Sequence, residues 1–151
     1  MGSGVASGRF RGRFDTSCQL IAVDRLLLDT TVLIDLSKNF GDVLTSLNAL
    51  VASGGVLGVC AISVAEFLAG VPVPQRGRWE HWIADFDYWD ISREAAVLAG
   101  VFRFDLARQG RALQIPDALM AATAVATGST LVTNNIKDYP MPNLRLLRLG
   151  S

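Results

Sequence analysis

The sequence predicts an α/β fold, a three-layer α/β/α sandwich with a central parallel sheet, and three features carry that prediction. Short apolar runs such as Leu26–Leu28 show no helical period and suit strands buried on both faces. Between them lie segments whose apolar residues recur at helical spacing. The two kinds alternate along the chain, the pattern of strands joined by crossover helices, and no internal repeat interrupts it.

Residues 1–24 are rich in Gly, Ser and Arg, lack periodicity and read as a flexible leader, with the folded domain expected over residues 25–151. Arg25–Asp29 is the first strand. Thr31–Lys38 and Asp42–Ser53 follow as helices, broken near Asn39 and Gly41 and closed by Gly54 and Gly55. Val56–Cys60 is a second strand. Ser63 suits the cap of a helix ending at Gly70, with Glu66 in the capping-box position and Pro72 and Pro74 marking the break. Arg78–Trp89 is expected to be helical, with Trp79, Trp82, Phe86 and Trp89 on one side, and a short strand is expected near Tyr88–Ile91. Ser92 caps a long helix whose Ala95, Ala99, Phe102 and Leu106 form an apolar stripe up to Gly110. Pro116 belongs in the first turn of a helix running to Gly128. Thr130–Thr133 is a strand, Asn134–Pro142 is rich in turn formers, and Leu144–Leu149 is the last strand.

A chain of 151 residues has room for one core, and with half its residues hydrophobic it does not match the composition of disordered proteins. The apolar runs are short and broken by charge, so none spans a bilayer. The N-terminal stretch with Arg9, Arg11 and Arg13 lacks the apolar segment of a secretion signal, and a cytoplasmic protein is expected. Cys18 and Cys60 have neither paired spacing nor neighbouring histidines, which disfavours a structural zinc or a disulfide framework. The formal net charge is zero, so attraction to a polyanion depends on how the basic residues cluster.

Chemistry-bearing residues concentrate where a parallel sheet would gather ligands, at the carboxyl ends of its strands. Asp29 ends the first strand; Asn135 and Asp138 follow Leu131–Thr133. Glu66 lies on an otherwise apolar helix and Asp117 opens an Ala-rich one. Taken singly, each has a plain structural reading: Asp29 as a helix cap, Glu66 as half of a capping box, Asp117 as a favourable charge at a helix start, Asp138 as a turn residue. Those readings do not explain why all lie beside one sheet edge. Carboxylates crowded into a partly dry cleft repel unless a cation neutralises them. Mg²⁺ suits hard oxygen ligands, as does Mn²⁺, and a bound ion of this kind can hydrolyse a phosphodiester without a catalytic histidine or cysteine. The chain has a single histidine, His81, which sits beside the aromatic stripe.

The motifs in order resemble those of the PIN-domain ribonucleases, specifically the VapC type of toxin. They are Leu26-Leu27-Leu28-Asp29-Thr30-Thr31-Val32-Leu33-Ile34-Asp35, Ile62-Ser63-Val64-Ala65-Glu66-Phe67-Leu68, Ile115-Pro116-Asp117-Ala118-Leu119-Met120-Ala121, and Leu131-Val132-Thr133-Asn134-Asn135-Ile136-Lys137-Asp138. The resemblance implies that Asp29, Glu66 and Asp117 are catalytic and hold the metal, Asp29 and Asp117 directly, and that Thr133 lines the site. The fourth acidic position of such proteins falls at Asn135, with Asp138 as the alternative carrier of that role. It further implies an RNA substrate, a cognate VapB-type antitoxin and a homodimer.

Arg103, Arg108 and Arg111 surround Gly110, and Lys137 adjoins the last motif. Arg111 and Lys137 are candidate RNA-phosphate contacts, a basic rim around an acidic centre. Competing assignments fit less well. A haloacid-dehalogenase-like phosphatase needs an acid where Thr31 stands, and a receiver domain needs its phosphoacceptor at a strand end, whereas Asp117 opens a helix. A PIN fold without strong catalysis, serving to bind RNA or protein, is the alternative that Asn135 leaves open.

Overall fold

The computed structural model describes residues 24–39 and 42–149, so the leader over residues 1–23, with Cys18 and its arginines, lies outside the described residues, as does the break at Gly41. The elements run β1 (Arg25–Leu28), α1 (Thr30–Ser37), α2 (Val43–Ala52), β2 (Val56–Val59), α3 (Ala61–Ala69), α4 (Val73–Ile83), β3 (Asp87–Tyr88), α5 (Arg93–Arg108), α6 (Ile115–Ala126), β4 (Ser129–Val132), a 3₁₀ turn (Ile136–Asp138) and β5 (Leu146–Leu147). The strands form one sheet ordered β3-β2-β1-β4-β5, with every pairing parallel. The α/β/α sandwich expected from the sequence is the fold observed.

The three leucines of β1 show why a continuous apolar run makes a central strand. Leu26 and Leu28 point into one core with Val32, Leu33, Leu47, Phe67 and Phe86. Leu27 points the other way, against Ala95, Phe102, Met120 and Leu131. Alternating side chains thus require apolar residues at every position when helices cover both faces. The stripe Ala95, Ala99, Phe102 and Leu106 of α5 is buried as its spacing predicts, and Ser92 caps the helix by accepting from the Ala95 amide at 3.0 Å. The break after α1 occurs at Asn39, whose φ of 55° is left-handed.

Some boundaries differ from expectation, each for a local reason. Cys60, not Ser63, occupies the N-cap of α3: Ser63 sits three residues on, accepts the Cys60 amide at 3.2 Å and bonds back to the Cys60 carbonyl. Glu66 is therefore in the second turn and plays no part in a capping box. The prolines after Gly70 start a helix as well as ending one. Pro72 is the N-cap of α4 and Pro74 lies in its first turn, where a missing N–H costs nothing, so this helix begins before Arg78 and ends at Ile83.

The aromatic series consequently splits. Trp79, Trp82 and Phe86 pack around Phe67, with Phe67–Trp82 and Trp79–Trp82 ring centroids 5.5 and 5.2 Å apart. Trp89 lies beyond β3 and belongs to the opposite core. Its ring covers Gly58 so closely that a Cβ there would meet it at 2.5 Å, which accounts for the glycine inside β2. The flanking strands are shorter than expected, β3 ending at Tyr88 and β5 covering Leu146–Leu147 alone. His81 is exposed in the last turn of α4.

Candidate metal centre

Parallel pairing brings the ends of β1 and β4 to the same edge, with the Asp29 amide donating to the Val132 carbonyl at 3.0 Å. Here the strand order reverses direction, since β2 and β3 lie to one side of β1 and β4 and β5 to the other. A crevice opens where the helices following these strands diverge.

Asp29 forms its floor. It is 5% exposed and caps α1, its Oδ1 accepting from the Thr30 amide at 2.7 Å. Its Oδ2 accepts from the Thr133 hydroxyl at 2.7 Å and from the Thr31 hydroxyl at 3.3 Å. The cap reading of Asp29 and a site reading thus hold together, since the amide it caps and the two hydroxyl donors together fix the orientation of its carboxylate. Burial raises the pKa of this carboxyl above its ordinary 3.8, and the donors at Thr133, Thr30, Thr31 and Tyr139 oppose the rise.

Asp117, half-buried in the first turn of α6, is raised above 3.8 by burial first and then by the negative charges of Asp29, Asp138 and Glu66. Acids from three other segments thus lie near enough for their charge to act on Asp117. Glu66 stands exposed on α3, its Oε1 accepting from the Thr30 hydroxyl at 2.6 Å. Asp138 is exposed in the 3₁₀ turn. Asn135 contributes through its backbone, its amide donating to the Thr133 hydroxyl at 3.0 Å, while its side chain is exposed.

Among the described residues, no three acidic, cysteine or histidine side chains already form a closed metal-holding cluster. The donor set nevertheless suits a hard cation: it is all oxygen, and the charges of Asp29, Asp138 and Glu66 raise the proton affinity of Asp117.

Residues beyond the sequence motifs complete the surroundings. Tyr139, 3% exposed, donates a long 3.5 Å hydrogen bond to Asp117 Oδ1 and also turns its hydroxyl toward Asp29. Burial and the charges of Asp29 and Asp117 push its phenol far up, so it stays a donor. Asn134 donates to Asp35, and its carbonyl accepts from Arg148 at 3.1 Å, tying the turn after β4 to α1. No local pattern marks these residues, because each acts across a long stretch of chain.

Of the basic residues, Arg111 and Lys137 line a cavity of about 400 Å³ together with Gln114, Asp117 and Asp138. Arg103 does not join them: its Nε donates to the Leu113 carbonyl at 2.7 Å, bracing the turn before α6. Arg108 stacks over Phe104 at 5.4 Å. A second cavity, of about 440 Å³, lies beside Glu66 and is lined by Ile34, Phe67, Val71, Pro72 and Trp79.

No helix among the described residues is long and apolar enough to cross a membrane. Ribonuclease VapC2 of Rickettsia felis is 27% identical to this chain over 126 residues, spanning 80% of it and 94% of the relative. Ribonuclease VapC19 of Mycobacterium tuberculosis is 25% identical over 120 residues, spanning 79% and 96%. Among solved structures, the DNA-bound VapBC of Salmonella typhimurium aligns with a TM-score of 0.71 at 26% identity, over 83% of this chain and 98% of that one. VapBC2 of Rickettsia felis bound to a promoter DNA fragment aligns at 0.73, over 83% and 99%, and at 24% identity shares the fold. The sequence model of the PIN domain matches residues 26–138, and with this sheet order and these acids in place, the chain belongs to the PIN domain family.

Proposed function

We propose that this protein is a Mg²⁺-dependent endoribonuclease, the toxin of a VapBC-type toxin–antitoxin pair. The observation that carries the reading is the cavity that Asp117 and Asp138 line with Arg111 and Lys137, where the charges of Asp29, Asp138 and Glu66 also raise the Asp117 carboxyl. A fold does not gather four repelling acids at one crevice for its own stability. The names of the relatives, VapC ribonucleases, support the same chemistry.

In this reading Asp29 and Asp117 are the direct ligands, Glu66 the third, and Asp138 rather than Asn135 supplies the fourth acid. Mg²⁺, or Mn²⁺ in its place, would polarise the scissile phosphate and make a bound water more acidic. The chain's own residues do the rest. Thr133 and Thr31 hold Asp29 in one rotamer, Thr30 holds Glu66, and Arg111 and Lys137 draw the phosphates flanking the cut into the cavity they line.

The apolar groove beside Glu66 fits the partner, a segment of a VapB-type antitoxin whose apolar side chains would settle among Ile34, Phe67 and Trp79. Solved relatives of this fold include VapBC complexes, which favours that occupant. Val97, Val101 and Phe104 form an exposed apolar stripe on α5 that supports a homodimer. Cleavage of RNA by the purified protein in Mg²⁺, abolished by EDTA and by Asp29→Asn, is the expected result. Cleavage that persists in either condition contradicts the mechanism, and RNA or antitoxin binding without any cleavage makes the protein a binding module.

A further inference from the structure

Tyr139 reaches this crevice from the core rather than from a strand end. Its ring packs in the α5–α6 core with Met120, Leu131 and Met141, and the chain there is fixed by its amide, which donates to the Ile136 carbonyl at 3.0 Å. A phenylalanine would fill that volume equally well, so packing gives no reason for the hydroxyl. A buried hydroxyl is costly to keep unless it is hydrogen-bonded. Its partners here are acids: Asp117 Oδ1 at 3.5 Å, and Asp29 beside it.

We infer that Tyr139 is a positioning residue, its buried hydroxyl donating between Asp29 and Asp117 to hold those two carboxylates at the separation an ion bound by both requires. The inference rests on the metal-site reading above. Asp29 is already fixed by Thr30, Thr31 and Thr133, whereas Tyr139 supplies the one hydrogen bond from another segment that reaches the Asp117 carboxylate among the described residues. Without it, Asp117 is free to swing away from the charge of Asp29.

The test is Mn²⁺ binding to the metal-free protein, followed by electron paramagnetic resonance, for the parent, Tyr139→Phe and Asp29→Asn. Removing a group that orients a metal ligand weakens the ion by about 10–100-fold, and Tyr139→Phe is expected to fall in that range. Its thermal unfolding in EDTA should stay within a few degrees of the parent, and kcat on total tRNA should fall with KM unchanged. Parental Mn²⁺ affinity and kcat in Tyr139→Phe overturn the inference. So does a collapsed unfolding temperature in EDTA, which would assign the hydroxyl to the core. If Asp29→Asn loses the ion while Tyr139→Phe keeps it, only the role of Tyr139 fails. If Asp29→Asn binds Mn²⁺ like the parent, the metal site itself is misassigned.

Discussion

Thr133 and Asp29 lie 104 residues apart in the chain, yet the fully buried Thr133 hydroxyl donates to Asp29 Oδ2 at 2.7 Å. This contact crosses from the end of β4 to the end of β1 and opposes the effect of burial on the Asp29 carboxyl. Replacing Thr133 by Val keeps the shape and removes the donor. A hydrogen bond to a charged group contributes about 1.5–3 kcal/mol, so Thr133→Val should lose stability in that range in EDTA, while Thr133→Ser stays near the parent. Urea unfolding of the three proteins measures the difference.

Asp117 makes the opposite prediction. Its folded carboxyl binds a proton more readily than its ordinary value of 3.8 implies, so its ionisation opposes folding. The stability it withholds is fully present only well below its ordinary value of 3.8, where the carboxyl is protonated in both folded and unfolded chains, and is lost as pH rises through the folded value. Asp117→Asn should therefore unfold a few degrees above the parent at neutral pH in EDTA, and the advantage should shrink on acidification and vanish well below 3.8. An unchanged difference across that range would mean that charge is not the cause.

How far these relationships could be read from the sequence depends on their range. Leu26–Leu28 announced a two-sided strand and Ser92 a helix cap because both signals are local. Ser63 and Glu66 have the spacing of a capping box, but the backbone turns into the helix three residues earlier, at Cys60. The aromatic series kept helical spacing past the end of α4 at Ile83, so Trp89 seemed to share a face it does not reach. Asp29, Glu66 and Asp117 stood out through their motifs. The Tyr139 hydroxyl and the bond between Asn134 and Asp35 did not, since no periodicity encodes a pairing between residues that meet only after the sheet forms.

Gly58 and Trp89 offer a test of the fold apart from the site. A methyl group at position 58 would press on the indole at 2.5 Å. Overpacking of this kind costs about 1–3 kcal/mol, and Gly58→Ala should show that loss by urea unfolding, together with a changed near-ultraviolet circular dichroism signal from the displaced ring.

Arg111 and Lys137 should act through phosphate. Converting both to Ala is expected to raise KM with little change in kcat and to flatten the salt dependence of RNA binding. The slope of log affinity against log salt should fall by about 0.7 for each lost contact on single-stranded RNA. Arg103→Ala, which breaks the brace to the Leu113 carbonyl instead, should destabilise the fold without altering that slope. Fluorescence anisotropy of labelled RNA across a salt series separates the two cases.

One ion is held jointly by Asp29 at the end of β1, Glu66 of α3 and Asp117 of α6 in the proposed mechanism. Calorimetric titration of Mn²⁺ into the metal-free protein and into Asp29→Asn, Glu66→Gln and Asp117→Asn measures this directly. A single stoichiometric site in the parent, weakened by each of the three substitutions, is the result expected. A site that survives any one of them at parental affinity would contradict shared coordination.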